Sequence, residues 1–284
     1  METKLHTHGG VVLHLPDLVN GFVDVVDTIM ANGDDVAPDG KMTRELLAMT
    51  LVIPGDAPML PFGTGRKVNR RLAAEDALQV IGGFSSLERF ERINPNMRNY
   101  TNQGAFHGGY GPRIRPQLGN VLRRLTADPS SRRAVITIWD PLRDGNIEGM
   151  SNYPCTTELQ FMIRGEKLDL HTTMRANDVW HGLTYDAFVF NQLQRTVARM
   201  LMVDVGTYYH HATSLHVYEK QWELVPDLHI LAEYTDAHFT PNGLPSDAVA
   251  RYIADKDYDS LAPYAFDEAV GWYDYFTNTA ERGE

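Results

Sequence analysis

The chain has 284 residues, 43% hydrophobic and 22% charged, a globular composition long enough to bury a core without metal or disulfide staples. A net charge of −11 excludes a general binder of polymeric nucleic acid, so an anionic substrate has to be met by a local cluster of arginines. One cysteine, Cys155, excludes an intrachain disulfide and fits a reducing compartment; with no membrane-length apolar run and no signal-peptide pattern after Met1, a soluble cytoplasmic chain with no membrane partner is expected.

No repeat, low-complexity segment or linker divides the chain, so a single domain over residues 1–284 is expected. Ala31 to Lys41 reads as a surface loop. Glu75 opens an otherwise apolar helical stretch, Ala77 to Ile81, and is expected to face inward. Leu118, Val121, Leu122 and Leu125 form one helix face, closed by Asp128-Pro129. Ser131-Arg132-Arg133 then precedes an apolar strand, Ala134 to Trp139, and adjacent guanidiniums there suit a phosphate. Alternation through Leu159, Phe161 and Ile163, then Leu168 and Leu170, predicts a hairpin turning at Gly165-Glu166. Helical spacing returns from Ala187 to Val203, and Val225 to Pro245 reads as a second surface loop. Strands and helices mix without strict alternation, which makes the class α+β.

The chemistry-bearing residues fall at the joints between these elements. Asn152-Tyr-Pro-Cys155 sits at the lip of the hairpin, where a thiolate can reach a substrate; taken alone, a lone cysteine is more often a small core residue. Arg175-Ala176-Asn177-Asp178-Val-Trp180-His-Gly182-Leu-Thr-Tyr-Asp186 packs arginine, asparagine, acids and glycine between strand and helix. Asp186 alone would read as the cap of the helix starting at Ala187. His216 and Tyr218 alternate, and so share one strand face. Asn152 and Asn177 are set to meet either ligand or backbone. His6, His8, His210 and His211 lack cysteine or carboxylate ligands at metal-site spacing and are read as solvated or structural, so no metal is expected. Trp139 is read as core.

Together, Glu75 to Gly82, Tyr110, Arg132-Arg133, Pro154-Cys155, Arg175 to Asp186 and His216 to Tyr218 resemble, in order and spacing, the motifs of the thymidylate synthase superfamily. Residues 1–70 are divergent, and the family's phosphate loop has no clear counterpart there; Arg44 or Lys41 are the basic residues at hand. The resemblance implies a mixed or antiparallel sheet flanked by helices, a homodimer, and 5,10-methylenetetrahydrofolate as cofactor. It implies that Cys155 adds to C6 of a pyrimidine nucleotide and that Arg175 binds the phosphate within its own subunit. Arg132 and Arg133 would cross to the partner's nucleotide, while His216 and Tyr218 hold the sugar 3′-hydroxyl. Glu75 would organise proton transfer near C4, and Tyr110 would lie near the departing C5 proton. Asp178 would bind the pterin, with Trp180 and Gly182 bordering its pocket.

Four departures refine the expectation. Asp186 stands where thymidylate synthases carry asparagine: an amide matches uracil, whereas a carboxyl group matches the C4 amine and a protonated N3 of cytosine. Thr156 replaces a histidine that often follows the cysteine. Ala176 replaces a usual serine, removing a phosphate donor and opening room for a 2′-hydroxyl. The chain ends in the polar Thr279 to Glu284, which would exclude water poorly. These features resemble the pyrimidine nucleotide hydroxymethylase branch acting on CMP or dCMP, in which water attacks the exocyclic methylene. The competing expectations are a reductive methylase acting on dUMP or dCMP, a Cys–His hydrolase, and a non-catalytic nucleotide binder.

Overall fold

A computed structural model describes residues 10–60, 68–145 and 152–231. His6, His8, the end of the loop expected up to Pro245, and the polar C-terminal segment lie outside the described residues. The chain forms β1 (Val11–His14), α1 (Leu18–Asn32), β2 (Asp34–Val36), β3 (Thr43–Pro54), α2 (Arg70–Gly82), α3 (Leu87–Ile93), α4 (Tyr110–Ala127) and β4 (Val135–Thr137). There follow α5 (Pro141–Asp144), β5 (Thr156–Arg164), β6 (Lys167–Met174), β7 (Asn177–Asp178), α6 (Thr184–Met200), β8 (Asp204–Tyr218), α7 (Glu219–Trp222) and α8 (Val225–Leu231).

One sheet organises these elements, in the order β1-β3-β8-β6-β5-β4, with β2 beside β3 and β7 beside β8. Its pairings are mixed: β1/β3, β6/β8 and β7/β8 are parallel, and the others antiparallel. With helices packed on it, this is the α+β architecture expected. The predicted hairpin is β5–β6, and Gly165 and Glu166 both take positive φ (55° and 64°), which matches the strand twist. Along β6 and β8, buried residues alternate with half-buried ones, so one face is core.

The helices cover that face for reasons visible in their composition. In α1, Leu18, Phe22, Val25, Val26 and Ile29 recur at helical spacing and are all fully buried. Leu118, Val121, Leu122 and Leu125 do the same in α4, as the sequence predicts. α6 is buried almost all round, polar residues included; Asn191 donates to the Gly55 carbonyl (2.9 Å) and Gln194 to that of Leu168 (2.8 Å). A buried amide so paired ties the helix to the sheet without an orphaned donor.

Two loop expectations are corrected. Ala31 to Lys41 contains β2, which pairs with Thr43–Glu45 around a tight turn at Pro38–Gly40; a strand of three residues offers no periodicity to read. Val225 to Leu231 is helical rather than loop.

Candidate active site

Cys155 is placed by the ends of the hairpin. The Arg175 backbone N–H donates to the Cys155 carbonyl (2.9 Å), and Arg175 Nε donates to the Pro154 carbonyl (3.0 Å). The pairing of β5 with β6 slips between Thr156 and Glu158, a bulge that re-aims the chain next to the thiol. On the other side Gly108 lies so close that a Cβ would stand 2.5 Å from Asn152 Oδ1 and 2.8 Å from the Pro154 nitrogen. Its N–H donates to that Asn152 oxygen (2.9 Å), so Asn152 serves the backbone. Further out, Arg113 holds Asp144 through both guanidinium nitrogens (2.6 and 2.8 Å), and His107 contacts the same carboxylate at 2.8 Å. This buried cluster anchors the loop that carries Gly108.

The thiol opens into a cavity of about 520 Å3. Its lining includes Cys155, Tyr110, Asp186, Tyr185 and Asp76, together with the apolar Phe84, Phe90, Phe106, Met97 and Tyr100. Burial pushes the Cys155 thiol up to about 11, with Asp186 and Asp178 adding to the rise and Arg175 opposing it. Tyr110 heads α4 with its ring 5.2 Å from that of Phe190; burial, then Asp186 and Cys155, raises it well above the usual phenol range. It is therefore held as a phenol.

Asp186 lies in the first turn of α6, which begins at Thr184, so it does not cap the helix. Its Oδ2 accepts from Asn177 Nδ2 at 2.7 Å. Burial raises its carboxyl to about 7, against that hydrogen bond, with Asp76 and Asp178 contributing. Asp76 is likewise raised to about 7, by burial and then by Glu75. The cavity lining therefore holds two carboxyls able to keep or release a proton near neutrality.

Several sequence-picked residues lie elsewhere. Glu75 is not in the cavity lining: Arg89 grips it with two hydrogen bonds (2.5 and 2.8 Å), and Gln79, which does line the cavity, with a third (2.9 Å). One residue is a 100° turn of the helix, and the cavity-facing row of α2 is Leu72, Asp76, Gln79 and Val80. Sequence reasoning missed Asp76, although the 4-3-1 spacing from Leu72 was there to read. Trp180 is buried against the edge of Phe22, and Asp178 accepts from the Trp180 and His181 backbone N–H groups, so neither lines the cavity. Gly182 packs on Asn177, where a Cβ would meet Nδ2 at 2.6 Å, and borders the Asn177–Asp186 pair.

Arg175 is exposed, its guanidinium 5.3 Å over the half-buried Trp139 ring, and Ala176 beside it is half-buried. Arg132 and Arg133 are exposed just ahead of β4. The His216 and Tyr218 rings meet edge-on at 5.2 Å. Arg44 is taken up by Asp35 (2.6 and 3.0 Å), so it is not free for a phosphate; Lys41 is exposed. Among the described residues no group of three metal-ligating side chains forms, and no helix is long and apolar enough to cross a membrane.

A family model described as thymidylate synthase matches residues 20–238. A deoxyuridylate hydroxymethyltransferase of Bacillus phage SP01 is 30% identical over 214 residues, covering 69% of this chain and 56% of its own length. One of Pseudomonas phage M6 is 31% identical over 192 residues, covering 65% and 54%. A thymidylate synthase of Bacillus licheniformis is 33% identical over 104 residues, covering 37% and 36%. The chain thus spans about half the length of the phage relatives it matches.

Proposed function

This chain belongs to the thymidylate synthase family, and we propose that it is a cytidylate 5-hydroxymethylase, converting CMP, and dCMP with it, to the 5-hydroxymethyl nucleotide. The observation that carries the reading is the carboxyl group of Asp186, held by Asn177 on the same cavity wall as Cys155 and poised to hold a proton near pH 7. One of its oxygens accepts from the C4 amine of cytosine while the other gives a proton to N3, which makes C6 more electrophilic. The phage relatives act, by their names, on deoxyuridylate. The carboxyl at 186 is what moves this chain's substrate to cytosine.

Cys155 adds to C6 as the thiolate, favoured by Arg175, and C5 becomes the nucleophile. Methylenetetrahydrofolate, when bound, supplies the one-carbon unit; the aromatic lining residues Phe84, Phe90, Phe106 and Tyr100 suit a flat heteroaromatic ring. Asp76 takes the proton-transfer role that the sequence suggested for Glu75. Tyr110, kept as a phenol, orients the group that removes the C5 proton. Loss of the C5 proton and departure of tetrahydrofolate leave an exocyclic methylene on C5; water adds to that carbon, electrons return to C5–C6, and the thiolate leaves. Arg175 holds the phosphate, His216 and Tyr218 hold the sugar, and Ala176 leaves room for the ribose 2′-hydroxyl. In a homodimer, the exposed Arg132 and Arg133 reach the partner's nucleotide; the half-buried rings of His171, Tyr209 and His211 on the other sheet face support such an assembly. Because the motifs resemble those of the cytidylate hydroxymethylase of mildiomycin biosynthesis, we place the product in the making of a nucleoside antibiotic.

The test is incubation with methylenetetrahydrofolate and CMP, dCMP, UMP or dUMP, followed by weighing of the nucleotide. Gain of CH2O on CMP supports the reading. Gain of CH2 with absorbance of dihydrofolate would replace it with the reductive reaction. In parallel, Ala176→Ser is expected to shift preference from CMP toward dCMP; an unmoved ratio would remove Ala176 from sugar choice.

A further inference from the structure

The pair His210-His211, read from sequence as solvated or structural, contains a group with a more specific task. Tyr208 and His210 alternate on β8 and are completely buried beneath the cavity wall. Tyr208 Oη lies 3.1 Å from His210 Nδ1, and His210 Nε2 lies 3.1 Å from Asn177 Oδ1. Asn177 Nδ2 then donates to Asp186 Oδ2 at 2.7 Å. Four side chains from β8, β7 and α6 thus form one hydrogen-bonded line ending at the group that meets the base.

We infer that Tyr208 and His210 are positioning residues that set the hydrogen-bond polarity of Asp186 and, through it, the choice between cytosine and uracil; the inference rests on the cytidylate reading above.

The argument is one of proton counting. Burial, then the neighbouring His211, lowers His210 to about 3, so its ring is neutral and carries a single N–H. Burial also keeps Tyr208 a phenol. The Asn177 carbonyl faces Nε2, so the N–H sits there, Nδ1 is bare, and the phenol donates to it. Polarity therefore runs from Tyr208 to Asp186, and Asp186 Oδ2 is already an acceptor. A proton on the carboxyl belongs to Oδ1, where it can be given to N3 of cytosine. In the reversed line the Asn177 amide would be flipped, its carbonyl would take the carboxyl proton at Oδ2, and Oδ1 would only accept. Cytosine would then lose its donor, whereas the N3–H of uracil would keep an acceptor. The Asn177 amide, with Nδ2 on Asp186 and Oδ1 on His210, is set in the first direction.

Tyr208→Phe removes one donor with the ring retained. His210→Leu breaks the line, and His210→Gln offers an amide N–H to Asn177 in its place. The ratio of kcat/KM for CMP over UMP is measured with thermal stability alongside. Tyr208→Phe and His210→Leu are expected to lower the ratio about tenfold or more, with His210→Gln within about threefold of the parent. Nitrogen NMR of labelled parent protein is expected to show His210 bare at Nδ1 and protonated at Nε2. A ratio that does not move in folded Tyr208→Phe protein, even with lowered stability, overturns the inference, as does the Nδ1-protonated tautomer. A parent that makes no hydroxymethyl-CMP would defeat the cytidylate reading instead, and the tautomer would still decide the direction of the line.

Discussion

Replacing Asp186 with asparagine is the most informative single change at the base. The new amide oxygen still accepts from Asn177 Nδ2, now 2.7 Å from the carboxylate, so the fold of α6 is kept. What remains toward the base is an NH2 donor. Against cytosine it donates to the bare N3 but, unlike a carboxyl group, cannot hand over a proton there, so C6 loses its activation, a transition-state loss of about 1–3 kcal/mol. Against uracil the new amide, turning over together with Asn177, accepts from N3–H and donates to O4, a match worth about 1 kcal/mol. The swing of about 2–4 kcal/mol corresponds to a fall of about 30- to 1000-fold in the CMP-over-UMP ratio of kcat/KM. Product mass spectrometry with the two nucleotides in competition measures it directly. A ratio within about threefold of the parent, in folded Asp186→Asn protein, would refute the assignment of Asp186 to base recognition.

The thiol offers a pH test. With Cys155 raised to about 11, alkylation by iodoacetamide should rise about tenfold per pH unit up to that value, because only the thiolate reacts. Arg175→Gln should slow it at fixed pH and Asp186→Asn should speed it, since the first opposes the rise and the second adds to it. Asp76→Asn should lower kcat about 10²- to 10⁴-fold, as expected for loss of an acid–base group, whereas Glu75→Gln should leave kcat within about threefold and cost stability in urea; equal losses in both would remove the distinction. Asp144→Asn should destabilise the fold by about 3–5 kcal/mol by stranding buried Arg113, measured by urea unfolding. Burial raises Asp144, but hydrogen bonds from Arg113, the Asp140 N–H and His107 outweigh it and hold the carboxyl at about 2, below its ordinary 3.8. That contribution is complete above 3.8 and is lost as pH falls through about 2, so the variant and parent should converge in stability at the acid end.

How far the sequence reaches depends on the scale of the feature. The hairpin, α4 and the α+β class follow from alternation and helical spacing, and the structure brings Cys155, Tyr110 and Asp186 to one cavity although 76 residues separate the last two. The choice between Glu75 and Asp76 turned on helix phase, which is set by how α2 docks and not by either side chain. The start of α6 was displaced from Ala187 to Thr184 because a π turn, Val179–Leu183, feeds into it; an Asp at the N-terminal edge reads as a cap until that turn is known. His210 and Tyr208 could not be told from core residues, because their partners Asn177 and Asp186 come from distant β7 and α6.

The claim on which the chemistry rests is a bond from Cys155 sulfur to C6 of the pyrimidine. Incubating the protein with 5-fluoro-CMP and methylenetetrahydrofolate, then digesting and weighing the peptides, tests it, because fluorine at C5 cannot leave as a proton does. A stable nucleotide adduct on the peptide containing Cys155, absent from Cys155→Ser, is the predicted result. Hydroxymethyl-CMP formed by the parent from CMP, with no adduct on that peptide and with activity surviving in Cys155→Ser, would contradict it.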